Sequence, residues 1–350
     1  MDGQPLLPRL EPAAASPARS RSARLARWST LVLLVAVLPA VLPGGFWQSV
    51  VAFIGFYTLA ALGLQLLMGY AGQISVGHAA FFGFGAYGYG LLTVRLGCNP
   101  WIALAGAAAV NAALAYLLGR PIFRLKGPQL ALATLGLGII ASTFFMQAEN
   151  ITGGALGLGG IPPLLIARFA LNTDRLNAWL ALAIAAAALL LCDNAMRGRF
   201  GRSLQALSVD EAVAGSLGVD ASRYKLWVFV ASGCATGIGG APFPPPFPPT
   251  SPRPLPFLPS VEPLLIAVIR RGGRIWGAPA GAALVVLLGQ GLDALARLLP
   301  SGADVMLKSV AFGGILVLLV IFLPGGLVEL FGRIANALRA RGGRTKERRP

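Results

Sequence analysis

The chain has 350 residues, of which 56% are hydrophobic and only 12% charged, and its mean hydropathy is +0.71. A soluble domain carries about 25% charged residues, so this composition excludes an ordinary water-soluble fold and indicates a membrane protein. The net charge of +16, from 29 Lys+Arg against 13 Asp+Glu, would by itself also suit nucleic acid. Its distribution argues against that partner, because the basic residues cluster beside apolar spans instead of covering a polar face.

Residues 1–28 form a Pro- and Ala-rich arm carrying Arg19, Arg21, Arg24 and Arg27, expected to be disordered and cytoplasmic ahead of a retained helix. Apolar segments suited to spanning helices of about 20 residues then lie near 29–46, 49–68, 78–95, 101–119, 128–147, 177–193, 226–242, 276–292 and 308–324. With a cytoplasmic N-terminus, this order places Arg120, Arg124 and Lys126 inside, together with the stretch Arg197 to Lys225. Nine crossings would leave the basic tail, 331–350, outside. The short run SVEPLLIAVIR, 260–270, is therefore expected as a tenth, partly re-entrant segment, with both termini cytoplasmic. The fold class is an all-α polytopic membrane helix bundle with a membrane domain over 29–330.

The sole histidine, His78, sits in GYAGQISVGHAAFFGFGAYGYG, residues 69–90. Ala79, Gly83, Ala86 and Gly90 share one face of the helix it begins, and Gly233, Gly237 and Ala241, with Gly277 and Gly281, repeat the small-residue pattern of closely packed membrane helices. At such a helix start a neutral imidazole is expected to hydrogen-bond the backbone of a neighbouring span, or else to line or gate a path. Cys98, Cys192 and Cys234 lack metal or disulfide spacing and read as small apolar residues. Glu149 and Asp193 are expected at helix ends as solvated charges.

No phosphate loop precedes any of the four lysines, and no nucleophile elbow, metalloprotease helix or paired intramembrane carboxylate appears. Neither ATP hydrolysis nor other catalysis is expected of this chain alone, and no metal or other cofactor. The segment 196–225 is long for a connection between packed helices, and long ordered loops are usually functional. Within it Ser208 and Glu211 match a capping box, Asp210 and Glu211 suit the first turn of a helix over about 209–217, and Gly218 suits its left-handed end. A short cytoplasmic helix built to meet a partner is the expectation.

Four motifs in order carry a resemblance: GLQLLMGYAGQISVGHAAFFGFGAY (63–87), FRLKGPQLALATLGLG (123–138), ITGGALGLGGIP (151–162) and GRSLQALSVDEAVAGSLGVDASRYKL (201–226), with weaker matches at 274–284 and 322–330. The chain resembles the LivM-type permeases of ABC importers for branched-chain amino acids. The resemblance implies a type II importer fold in the bacterial inner membrane. It also implies four kinds of partner: two ATP-binding cassette ATPases that hold the ATP, a second, LivH-type permease subunit, an external solute-binding protein and a small-molecule substrate. It makes Arg202, Ser208, Asp210, Glu211, Ala212 and Gly218 candidates for the ATPase-coupling loop. Gly69, Gly72, Gln73, Ser75, His78, Gly83, Thr134 and Thr152 become candidates for the translocation path or helix packing.

The sequence departs from the family over 242–259, where ten prolines exclude a helix, and at Arg270, Arg271 and Arg274. A frame error, a decayed and inactive copy, or a genuine polyproline insert would each produce that pattern. Import of urea or short amides, and ion-coupled secondary transport, are the alternative functions.

Overall fold

The computed structural model describes residues 28–29, 33, 35–73, 75–125, 127–154, 157–161, 165–166, 169–170, 174–241, 275–296 and 313–314. In hydrocarbon a backbone polar group without a partner costs several kcal/mol, and a helix answers this within its own segment. The regular structure of the described residues is accordingly helical, apart from one hairpin pairing Leu165–Ile166 antiparallel with Phe169–Ala170. After a helical stretch at 35–41, α1 spans Gly44–Leu64 and widens into a π-helical turn, Gln65–Tyr70. Gly72, at φ 64°, turns the chain into a segment that leads to α2, His78–Val94.

The Asn99 side chain starts α3, Pro100–Ile122, by accepting a hydrogen bond from the Trp101 N–H at 2.9 Å, with Pro100 at the first helical position. Then come α4, Pro128–Gln147, the short α5, Glu149–Thr152, and α6, Asp174–Arg197. Two surface helices, α7 (Arg199–Val209) and α8 (Glu211–Ser216), precede α9, Ala221–Gly240, and α10 is Gly277–Ala296.

Among the described residues four helices are long and apolar enough to cross a membrane: Gly45–Tyr70, Pro100–Ile122, Gln129–Gln147 and Arg175–Arg197, with Gly277–Leu292 as a shorter apolar helix. The first is 83% buried over its apolar window, the others 28%, 22% and 33%, so α1 runs through the centre and the rest lie at the rim. The expected spans at 260–270 and, apart from 313–314, 308–324 lie outside the described residues. So do the arm 1–27, the Pro-rich 242–259, the basic tail, and Arg270, Arg271 and Arg274.

The bundle closes around α9 because its small residues admit neighbours to backbone contact. A Cβ on Gly85 of α2 would collide with the carbonyl of Gly237, and one on Gly240 with the carbonyl of Phe82. A Cβ on Gly63 of α1 would meet Ser232 and Thr236, and one on Gly239 would lie 2.8 Å from the Phe56 carbonyl oxygen. Gly233 rests on Ala115 and Phe81, while Gly237 also abuts the Asn111 side chain of α3. The expected small face of α9 is thus its packing face. On α2 the expectation needs correction: Gly83 meets the Phe145 ring and Gly90 meets Leu158 and Ile161, but the closest approach is made by Gly85, off the expected stripe. A stripe on one helix says which residues align, not which neighbour arrives.

These contacts fix a prediction. Gly85→Ala forces a side chain into the Gly237 backbone and should cost about 1–3 kcal/mol, lowering the melting temperature of the detergent-solubilised chain. Gly136→Ala, where nothing lies within 4 Å, should leave that temperature unchanged. Equal melting curves for the two variants would contradict this packing.

Candidate functional site

Two constellations stand out, one inside the bundle and one on its surface. The inner one is built on His78, which is buried at the start of α2. Its Nδ1 lies 3.0 Å from Ser75 Oγ and its Nε2 2.8 Å from Ser232 Oγ on α9. The Ser232 hydroxyl also donates to the Phe229 carbonyl at 3.0 Å, which uses its one proton. Nε2–H therefore donates to Ser232, and Nδ1 accepts from the Ser75 hydroxyl. One neutral tautomer satisfies every group in the chain.

Edge-on contacts to Phe81 at 5.5 Å and Phe229 at 5.9 Å enclose the ring. Ser232 stands about 16 Å along α9 from its start at Ala221, at 1.5 Å per residue, so α2 begins well inside the bundle. The segment before it climbs from the surface to that depth: Gly72 packs against Ser208 of α7, the Val76 N–H donates to Thr134 Oγ1 at 3.2 Å, and Gly77 lies on the Thr134 carbonyl. The expected partner of His78 was a neighbouring backbone. The structure supplies a serine hydroxyl instead, Ser232 Oγ on the face of α9 that packs against α2.

The surface constellation is α7 with α8. Gly201, Leu204 and Leu207 bury one face of α7. Asp210 then caps α8, its Oδ1 accepting from the Ala212 N–H at 2.8 Å and the Val213 N–H at 3.0 Å. The expected capping box is thus corrected. Ser208 lies within α7 and donates to the Gln205 carbonyl at 2.8 Å, and Glu211 reaches Lys225 of α9 at 2.6 Å instead of turning back on its own helix. The extent is also shorter than expected, Glu211–Ser216, because a separate helix occupies 199–209. Gly218 does take the left-handed conformation, at φ 83°.

The two helices are held rigidly. Lys225 is buried against Glu211, Phe200 stacks on Tyr224 at 5.2 Å, and Arg202 donates to the Arg197 carbonyl at 3.2 Å. Above this mount Val209, Leu217 and Val213 remain 88%, 77% and 57% exposed. Exposed apolar side chains on a braced helix form a surface ready to be covered.

The structure joins several expected residues and separates others. Ser75, His78 and Thr134 surround one segment, and Gly72 links it to Ser208. Gly83 and Thr152 gather with Phe145 elsewhere: Thr152 donates to the Phe145 carbonyl at 2.7 Å, and Gly83 abuts the Phe145 ring. Gly69 packs on Gln65 within the π-helical turn, and Gln73 hydrogen-bonds the Ala71 carbonyl at 3.1 Å. Asp193, expected to be solvated, is buried and paired with Arg197 at 2.7 Å. Glu149 is exposed at the start of α5. Ser232 and Lys225 were missed. A hydroxyl in the Gly-rich run of α9 was the available signal for the first, and no sequence signal pairs Lys225 with Glu211.

The family model described as branched-chain amino acid transport system / permease component matches residues 47–323. The high-affinity branched-chain amino acid transport system permease protein LivM of Salmonella typhimurium is 30% identical over 297 residues, covering 78% of this chain and 68% of that protein. The protein of the same name from Escherichia coli is 29% identical over the same length and shares. With the match running from Trp47 in α1 through α10, the chain belongs to the permease-component family of branched-chain amino acid transport systems.

Proposed function

We propose that the chain is a permease subunit of an ATP-driven importer for branched-chain or other hydrophobic amino acids. It would form part of the translocation path in the bacterial inner membrane, with both termini cytoplasmic. The observation that carries the coupling part of this reading is the exposed apolar rim of α8 on its braced mount. Such a rim suits an ATPase subunit, and the chain has no phosphate loop of its own. Two cassette ATPases, a second permease of LivH type and an external binding protein complete the assembly on this reading, and ATP binds only to the ATPases. The family membership and the names of the two LivM relatives support the substrate class.

On the same reading, motion of the ATPases enters through α8 and α7. Gly72 against Ser208 passes it to the segment before α2, whose far end is the Ser75–His78–Ser232 chain. His78 acts there as a hinge pin between α2 and α9, not as a chemical group.

Val213→Asp combined with Leu217→Asp should leave membrane insertion intact while lowering ATPase co-purification and uptake at least about tenfold, the scale of losing central interface anchors. Unchanged co-purification would remove the docking role. Glu211→Lys should weaken the same association by setting like charges together, and adding Lys225→Glu should restore part of it. His78→Gln keeps a donor and an acceptor and should retain uptake. His78→Leu leaves the buried Ser75 hydroxyl without its acceptor, at about 1–3 kcal/mol, and should lower the melting temperature. Normal melting with abolished uptake in both variants would instead assign His78 to the path. Uptake by the assembled transporter from a panel of leucine, valine, urea and short amides should favour the first two. Preference for urea or amides, or uptake driven by an ion gradient without ATP, would overturn the substrate or the energy source respectively.

A further inference from the structure

A second feature of the surface has no place in that reading. Helices α3 and α9 run antiparallel: Asn111 meets Gly237, Ala115 meets Gly233 and Gly119 meets Leu226. Along this seam Tyr116 and Trp227 face each other with ring centroids 6.3 Å apart. One turn further along α3 stands Arg120, and one turn back along α9 stands Arg223. In an antiparallel pair both therefore emerge at the same end, just past the two rings.

Arg120 lies over the Tyr116 ring, 4.5 Å from its centroid, and reaches the Tyr116 hydroxyl at 2.5 Å. That uses one of its five N–H donors. Both arginines are exposed, and among the described residues neither forms an ion pair with a carboxylate. The nearest acid in sequence, Asp220, accepts from the Arg223 backbone N–H at 3.1 Å and makes no ion pair with the Arg223 guanidinium. Arg124 adds a third exposed cation beyond the end of α3.

The faces that carry these groups are exposed and apolar. On α3 the stripe runs from exposed Val110 to Leu117, which is 64% exposed, and on to Arg120; on α9 it runs from Ala231 through Trp227, 53% exposed, to Arg223. Apolar side chains, then amphipathic rings, then cations match the order of acyl chain, glycerol region and phosphate in a lipid leaflet.

From this arrangement we infer that the α3–α9 seam holds an anionic phospholipid, with Arg120 and Arg223 forking its phosphodiester and Tyr116 and Trp227 packing beside its glycerol region. The guanidinium fork fits a phosphate bidentately, which a lysine cannot do. A zwitterionic headgroup would bring an ammonium toward two arginines that form no ion pair among the described residues, so the site favours net negative charge.

Native mass spectrometry of the detergent-purified full chain, titrated with phosphatidylglycerol or phosphatidylcholine, tests this. The wild type should retain one phosphatidylglycerol about tenfold more tightly than phosphatidylcholine, a difference of about 1.4 kcal/mol. Arg120→Gln with Arg223→Gln should abolish that preference, whereas Arg175→Gln on α6 should keep it. Should the double Gln variant fail to fold, Arg120→Lys with Arg223→Lys preserves the charge but not the fork, and should weaken retention about threefold. Inorganic phosphate at millimolar concentration should not displace the lipid. Equal retention of both lipids, full retention by the Lys variant, or displacement by inorganic phosphate would each overturn the assignment, the last in favour of a soluble-anion site.

Discussion

Everything in this bundle depends on how closely α9 can be approached. With glycines at 233, 237, 239 and 240, its backbone comes into direct contact with α1, α2 and α3, and the matching Gly63 and Gly85 let those helices in. Between membrane helices there is no hydrophobic driving force of the kind that folds soluble domains, so close van der Waals packing must hold them together. The same closeness lets short side chains reach across. Ser232 can hydrogen-bond His78 at 2.8 Å only because α2 lies against α9.

That closeness also supplies the partners that the one histidine needs in order to be buried. A desolvated imidazole needs both nitrogens satisfied, and Ser75 supplies the donor for Nδ1 and Ser232 the acceptor for Nε2–H, the pattern that leaves no proton unplaced. The arrangement sets α2 deep in the bundle and leaves the preceding segment to span the distance to α7. The inner polar chain and the outer surface helices are thereby parts of one connected path of contacts, through Gly72 and Ser208.

At the surface a different balance applies. The α8 helix has only six residues, too short to persist alone. Its cap at Asp210, its ion pair to buried Lys225 and the burial of Ala214 hold it, while Val209, Val213 and Leu217 stay in the open. A helix stabilised from below and left apolar above has its exposed face decided by its anchors.

Composition, charge placement and hydrophobic period were enough to establish an all-α membrane bundle, because lipid permits few alternatives and the helix carries its own hydrogen bonds. Local chemistry in the sequence also located the start of α2 at His78, the left-handed end at Gly218 and the small-residue face of α9. What the sequence could not supply were the pairings between segments. Ser208 lost the cap to Asp210 because α7 runs on through Val209, Gly85 displaced the expected stripe because α9 arrives from that side, and Glu211 was taken by Lys225 fourteen residues away. Periodicity within one helix fixes which residues share a face. Only the tertiary structure decides what that face meets, since the meeting depends on backbone separations set by every other helix.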